Sequence, residues 1–431
     1  WVDQLKGPAF GSNTSGGRVK NSVRVDGGAY HLTSSVPVAA WQFNPLQYKT
    51  SIDVCPGIPP AGASDCLSVS NDASLLLPST AMTGIYRVFG RSEAQTGDQW
   101  GGTAGGIAIT ATTDDTEVTV QLAAGCNNNP NNPKSGNCVA GGSGVKATPP
   151  GGSLTFSMAA GDVVQLLGDW GSGWDAPHAD LSGSLVSATR AVQVLSMAPL
   201  AYIPKGVAGM GYADHLEETV LPAEVLGDEY VVVPPSGPDG TNVGHLVRFY
   251  GNFDQTKLSY PDGKPGGAPE SLNAGDVVEI KTKKPFRVTA TEAFAVGSFM
   301  YGGEVQDPNA ANNGQRRGDP SLSLMVTPGQ FRDHYTFLAP TSYLSNYADI
   351  LVSANATVTL DGKPLTSTAE DIGVTGWRLH RELLGAGNDG AHRLDADSPV
   401  GLQVMGYGHA TSYYFPGGLN LELISEPPVL K

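Results

Sequence analysis

Two acids flank a histidine in Asp175-Ala-Pro-His-Ala-Asp180, and Asp169 lies just upstream. An imidazole beside carboxylates can bind a metal or exchange a proton near neutral pH, and paired carboxylates are the machinery of glycoside hydrolysis. Asp169, Asp175, His178 and Asp180 are therefore the cluster in this chain to test for catalysis, although the same residues suit a polar loop between strands. A second group, Asp214-His-Leu-Glu-Glu218, runs straight into Val220-Leu-Pro222 and reads as a turn leading into a strand. Gly385-Ala-Gly-Asn-Asp-Gly390 spells Gly-x-Gly-x-x-Gly. A dinucleotide site needs a strand before that motif and a helix after it. Here a candidate helix, Trp377-Arg-Leu-His-Arg-Glu-Leu-Leu384, or else a strand, precedes it and strand-like His392-Arg-Leu394 follows. In a chain with 56 glycines the match reads as a turn.

Oxygen ligands for calcium occur at Asp114-Asp115 and in Asp307-Pro-Asn-Ala-Ala-Asn-Asn-Gly314. Ala311 and Gly318 fall where a twelve-residue calcium loop needs ligands, so no cofactor is expected, with an irregular calcium site left open. No Gly-x-Ser-x-Gly, His-Glu-x-x-His or Walker sequence is present. The four cysteines fall into two local pairs, Cys55 with Cys66 and Cys126 with Cys138, each bracketing a Pro/Gly/Asn-rich loop. That spacing suits two disulfide-stapled loop tips better than zinc, and disulfides imply an oxidising compartment. Trp170 and Trp174 lie in a Gly-rich loop, either as a binding patch or as rim packing.

The elements that must position these residues repeat. Thr33–Phe43, Ser187–Met197, Thr289–Phe299 and Asp395–Met405 align without gaps around Pro37, Ala191, Ala293 and Pro399. Self-similarity at long period signals arrayed units. A Leu/Val-Pro stretch followed by a tyrosine strand appears at Leu75–Pro78 with Tyr86, Val220–Pro222 with Tyr230, and Met325–Pro328 with Tyr335. Asp-Gly-Lys-Pro turns recur at 262–265 and 361–364, and Ala-Gly-Asp-Val-Val at 160–164 and 274–278.

Three units result, roughly 70–202, 215–302 and 318–408, each with about eight short strands by period-two alternation. Gly28–Leu32 stands before Pro37 as Gly390–Leu394 stands before Pro399, so the N-terminal stretch reads as the second half of a unit. Asn420–Ile424 resembles the start of one. The expected organisation is a half-unit over 1–50 closing with the C-terminal strands, a unit over 51–202 with both cysteine pairs, a unit over 203–302, and a unit plus closing strand over 303–431. The fold class is all-β, with repeated antiparallel sheets in a propeller-like closed ring of about seven sheets and tandem β-sandwiches as the alternative. Closure would leave no exposed sheet edge.

A net charge of −15 disfavours nucleic acid and anionic membrane surfaces as partners. No run of about 18 apolar residues exists, so no membrane insertion is expected. The chain begins at Trp1 rather than Met, as a trimmed product would.

Several stretches resemble the N-terminal domain of IgG Fc-binding proteins, as a bacterial member. They are Ser34–Val38 with Trp41–Leu46, Ser70–Pro78, Asp180–Ser184 and Gly318–Leu322. The resemblance implies a secreted or surface-displayed, non-enzymatic binding or adhesion module with an extracellular protein or glycan ligand. No antibody-contacting residue can be matched. The alternatives are a structural subunit of an extracellular layer or filament, with self-association, and a glycan-active enzyme. The loops that lengthen one unit relative to its siblings, Cys55–Cys66, Cys126–Cys138 and Glu304–Gly318, are the candidate contact surfaces.

Overall fold

The computed structural model describes residues 21–43, 71–91, 105–126, 136–169, 179–204, 212–310, 315–354 and 356–430, with the backbone of strands Gln47–Lys49 and Asp65–Leu67. It is all-β, and every named pair of strands is antiparallel. Among the described residues the one α-helical turn is Gly303–Gln306.

The second repeat shows the unit most plainly. Its eight strands are Asp214–Thr219, Glu229–Val232, His245–Tyr250, Thr256–Ser259, Ser271–Leu272, Val277–Thr282, Phe286–Ala290 and Ala295–Phe299. The 229–232, 286–290, 256–259 and 271–272 strands make one sheet. The 277–282, 245–250 and 295–299 strands make the other, which is completed by Leu322–Leu324 from the next repeat. Tyr230, Val232 and Val288 from the first sheet pack with Val247, Phe249 and Val296 from the second in one core. Each unit is thus locally a β-sandwich, as alternating strands that bury one face must be.

The recurrent tyrosine explains the recurrent Pro-Val pattern. The Tyr86 hydroxyl donates to the Val192 carbonyl at 2.5 Å, Tyr230 to Phe294 at 2.6 Å, and Tyr335 to Val400 at 2.6 Å. Each acceptor directly follows Ala191, Ala293 or Pro399. Each hydroxyl also accepts an amide from three residues upstream: Thr83, Gly227 or Arg332. One buried phenol thereby joins the two sheets of its unit. The Asp-Gly turns behave as their chemistry dictates: Asp361 and Gly362 hold φ of 52° and 74° between Leu360 and Lys363, a two-residue hairpin turn.

The propeller-like closure is built at a second level. The strands carrying the four motif copies each pair with one inner strand: Ala73–Leu76, Asp214–Thr219, Leu322–Leu324 or Thr411–Pro416. These four inner strands touch in sequence, and the last packs back against the first. The ring therefore has four blades rather than about seven. Behind the blades, as sandwich partners, pack the sheet of strands 85–87, 185–188, 116–121 and 153–158, the sheet of strands 229–232, 286–290, 256–259 and 271–272, and in the third unit strands Arg332–Leu338 and Val358–Leu360 on the first half of Ala391–Gly408, because each unit buries its two layers against one another.

Consecutive units are locked by buried charge. Arg248 donates to Asp180 at 2.7 Å and to the Gly90 carbonyl at 2.9 Å. Asp349 accepts from the Ser236 amide at 2.8 Å and from Arg381 at 3.0 Å, and the Tyr407 hydroxyl donates to the Ser236 carbonyl.

Two further sequence readings are decided by strand pairing. Trp377–Leu383 is a strand, not a helix, since it pairs residue by residue with Tyr347–Ser353. Asn420–Ile424 forms no strand, and the unit-opening strand after the third repeat is Thr411–Pro416. Asn420 and Ile424 instead donate to the carbonyls of Gln330 and Glu224.

Replacing Tyr230 by Phe leaves the Phe294 carbonyl and the Gly227 amide without their buried partner. Urea unfolding should show a loss of about 1–3 kcal/mol, whereas a change within error would remove the tyrosine from the scaffold's determinants.

Candidate binding surface

Acidic and hydroxyl side chains concentrate at the ring axis, where the free edges of the inner strands face one another. Asp72 Oδ1 accepts the Ala73 amide at 2.9 Å, and its Oδ2 accepts the amides of Glu217 at 3.1 Å and Leu322 at 3.3 Å. One carboxyl therefore caps backbone donors of three blades. Ser74 Oγ accepts the Thr219 amide at 2.7 Å and donates to Glu218 Oε1 at 2.8 Å. Thr411 donates to Asn71 Oδ1 at 2.9 Å, with Asp214 Oδ2 at 3.3 Å, and Ser412 Oγ accepts the Asp319 amide at 2.9 Å.

All of these groups are buried. Burial pushes the carboxyls of Asp72, Glu218 and Asp319 well above the usual range, and raises Glu217 as well. The Asp214–Thr219 segment is an inner strand rather than a turn, and its acids accept from Thr411, Gln42 and Ser74 side chains on neighbouring strands. Among the described residues no group of three His, Cys, Asp or Glu side chains is placed to hold a metal.

The acids flagged for catalysis have structural partners. Asp180 Oδ1 accepts the Ser182 amide at 3.0 Å, and its Oδ2 takes Arg248. Burial opposes its charge, yet Arg248 and Ser182 hold its carboxyl below the usual range. Asp169 Oδ2 accepts the Asn137 amide at 3.0 Å. The Asp180 amide donates to the Cys126 carbonyl at 2.8 Å and the Asp169 amide to that of Cys138 at 3.0 Å. Both acids therefore fasten the ends of the loop closed by the Cys126–Cys138 disulfide. Asp175, His178, Trp170, Trp174 and Cys55 lie outside the described residues, and of Cys66 only the backbone, opposite Tyr48, is described.

Asp114 Oδ1 accepts the Ala160 amide at 2.9 Å, and Asp115 turns the hairpin with φ of 55°. Asp307 Oδ2 accepts from the Arg317 amide and side chain, so it ties Arg317 back to the start of the Glu304–Gly318 loop. Gly385–Gly390 links strand Trp377–Leu383 to strand Ala391–Gly408, so the glycine motif is a turn between strands.

A cleft of about 520 Å³ opens between the first and second units. Leu122, Ala123 and Ala124 line one wall, immediately before Cys126, and Phe253 and Gly275 line the other. Arg87 lies at its floor, buried, donating to the carbonyls of Gly183 at 2.9 Å and Asn252 at 3.0 Å. Burial, only partly offset by Asp254, lowers its guanidinium to about 10. Arg87 Nε and both amide atoms of Asn252 are buried without a hydrogen-bond partner. Pro428 and Val429 also line the cleft. The motif searches miss Arg87. The signal that finds it is the repeat itself, because the position after the tyrosine holds Arg87 where its siblings hold Val231 and Thr336.

Sandwiched repeats closed by four inner strands around buried acids and hydroxyls define an all-β repeat scaffold of propeller-like closure. The chain belongs to the family described as IgGFc binding protein, which matches residues 72–406. Neither a curated protein nor a solved structure matches it.

A raised carboxyl favours the folded state while it is protonated. That contribution is complete below the unfolded range, around pH 3.8–4.5, and is lost as the pH rises through the folded values. His245 works in the opposite sense: burial lowers it to about 3, so its contribution is present above its ordinary 6.5 and is lost on acidification. The Glu218→Gln variant keeps the acceptor for Ser74 and Thr219 while removing the charge. Urea titrations should show this variant gaining on the parent as the pH rises from 4.5 to 7.5. Parallel pH curves would place an ordinary carboxylate at the axis.

Proposed function

We propose that this chain is a secreted or cell-surface, non-catalytic binding or adhesion module that presents loops on a rigid β scaffold. Family membership over residues 72–406 carries the reading. Three features support it. The Arg248–Asp180 ion pair and the hydrogen bonds of Asp349 and Arg381 to Ser236 fix neighbouring units relative to one another. The acids suited to hydrolysis are engaged with Arg248 and the Asn137 amide. The disulfide Cys126–Cys138 closes a loop that starts two residues after Ala124 on the wall of the Arg87 cleft, so a concavity and a stapled loop adjoin, the usual division between framework and contact surface. No helix of the described residues is long and apolar enough to cross a membrane.

In this reading the ligand is an extracellular protein or glycan. The half-unit over 1–50 and the units over 51–202, 203–302 and 303–431 act as one scaffold, Cys55 pairs with Cys66, and calcium plays no part. The immunoglobulin Fc region in the family's name is the first protein ligand to try.

The test is a binding screen on glycan and protein arrays that include immunoglobulin Fc, run with and without a chelator. Saturable binding that survives the chelator and falls at least tenfold when residues 127–137 are replaced by a Gly/Ser linker is the expected outcome. Glycan turnover abolished by Asp169→Ala or Asp180→Ala would replace the proposal with an enzyme, and concentration-dependent light scattering would replace it with a layer subunit. A non-reducing mass measurement should show no alkylatable thiol. Four free thiols would remove the residue-level support for an oxidising compartment.

A further inference from the structure

The buried polar atoms of the Arg87 cleft indicate the chemistry it is built to meet. Arg87 bridges the two units at the floor: its terminal nitrogens donate to the carbonyls of Gly183 in the first unit and Asn252 in the second, and its Nε has no partner. Asn252 lines the same cleft and is fully buried, yet neither Oδ1 nor Nδ2 is hydrogen-bonded. A buried amide without partners costs the fold its desolvation penalty, so two such side chains in one cavity call for a ligand that satisfies them.

The charges around the cleft narrow the class. Asp254 and Glu292 also line it and are exposed, so an anion approaching Arg87 meets two carboxylates. A cation meets a buried guanidinium whose hydrogen-bond partners are neutral carbonyls. A neutral ligand escapes both penalties. It must offer an acceptor to Arg87 Nε, a donor and an acceptor together to the Asn252 amide, and donors to the carboxylates. Adjacent hydroxyls do this in the least space, because each is donor and acceptor at once. Phe253, half-buried in the wall, supplies an apolar surface for the C–H face of a ring. The volume of about 520 Å³ is that of a small-molecule site.

We propose that the Arg87 cleft binds a neutral sugar residue of a glycan, with Arg87 Nε and the Asn252 amide as its polar anchors and Phe253 against the ring. The assignment rests on the binding-module reading above and selects glycan over protein as the ligand. One anchor comes from each unit, so the sugar would also tie the first unit to the second.

Saturation-transfer NMR on the full chain tests this with glucose, galactose, mannose, N-acetylglucosamine and lactose, and with glucuronic acid as the anionic counterpart. Transfer to at least one neutral sugar is expected, with its dissociation constant raised at least tenfold by Asn252→Leu and by Ala124→Trp. Leucine keeps the branched shape of asparagine and forfeits no hydrogen bond of the fold, so Asn252→Leu should keep or raise the parent's melting temperature. Ala124 is exposed on the cleft wall, and tryptophan there narrows the cleft from the solvent side. No transfer to any neutral sugar, transfer to glucuronic acid alone, or neutral-sugar binding indifferent to both variants overturns the proposal. A melting temperature lowered by several degrees in Asn252→Leu also overturns it, since the amide would then be partnered within the fold. A protein ligand that Ala124→Trp releases, with no sugar bound, would sink the glycan assignment and leave the binding module standing; only the absence of any ligand on both arrays sinks the two together.

Discussion

Backbone amides at the axis of the ring set the terms for the rest of the molecule. Each inner strand pairs on one side only, so its other edge presents N–H groups to a centre where water is scarce. A buried amide without a partner costs as much as a lost hydrogen bond. Four edges converge, and they cannot pair with one another because the blades splay around an axis. Side chains must supply the acceptors, which is why Asp72, Ser74, Glu218 and Ser412 stand where a sheet would normally place aliphatic residues. Protonation then relieves the crowding of acids, and the raised carboxyls are the electrostatic cost of joining four sheets at one point.

The units that feed the ring are held by a different device. A phenol buried between two sheets bonds the closing motif of its own unit, so every unit carries an internal check that its two sheets are in register. Between units the positions of Arg248 and Asp349 are equivalent, opposite Gly297 and Gln403 in their sheets. One is a cation and the other an anion, yet each reaches the loop that follows the preceding unit's tyrosine strand. The scaffold keeps the contact and exchanges its sign, which is what one expects when a buried charge is tolerated only with its partner present.

Much of this was legible in the chain. The all-β class, the eight strands of each unit, the Asp361-Gly362 turn and the Cys126–Cys138 staple follow from patterns that local chemistry imposes. The four-blade count did not, because sequence periodicity does not distinguish two sheets packed face to face from two sheets side by side. Trp377–Leu383 was ambiguous for a related reason: its spacing of Leu379 and Leu383 suits a helix, and only the neighbouring strand Ser345–Ser353 decides the matter. The acids at 214–218 read as a turn because a strand of charged residues makes sense only when other strand edges surround it. Arg87 was hidden by its surroundings, since a cleft between units leaves no motif in either.

The tyrosine bridges span unequal lengths of chain. Val192 lies 106 residues beyond Tyr86, Phe294 64 beyond Tyr230, and Val400 65 beyond Tyr335. The entropy of closing a flexible loop grows only with the logarithm of its length, so the longer first unit costs about 0.4 kcal/mol more to close than its siblings. That is smaller than the contribution of a single hydrogen bond. Insertions such as the one at Cys126–Cys138 are therefore nearly free in thermodynamic terms, and descendants of this architecture can lengthen and diversify their loops while the bridge that defines each unit goes unchanged.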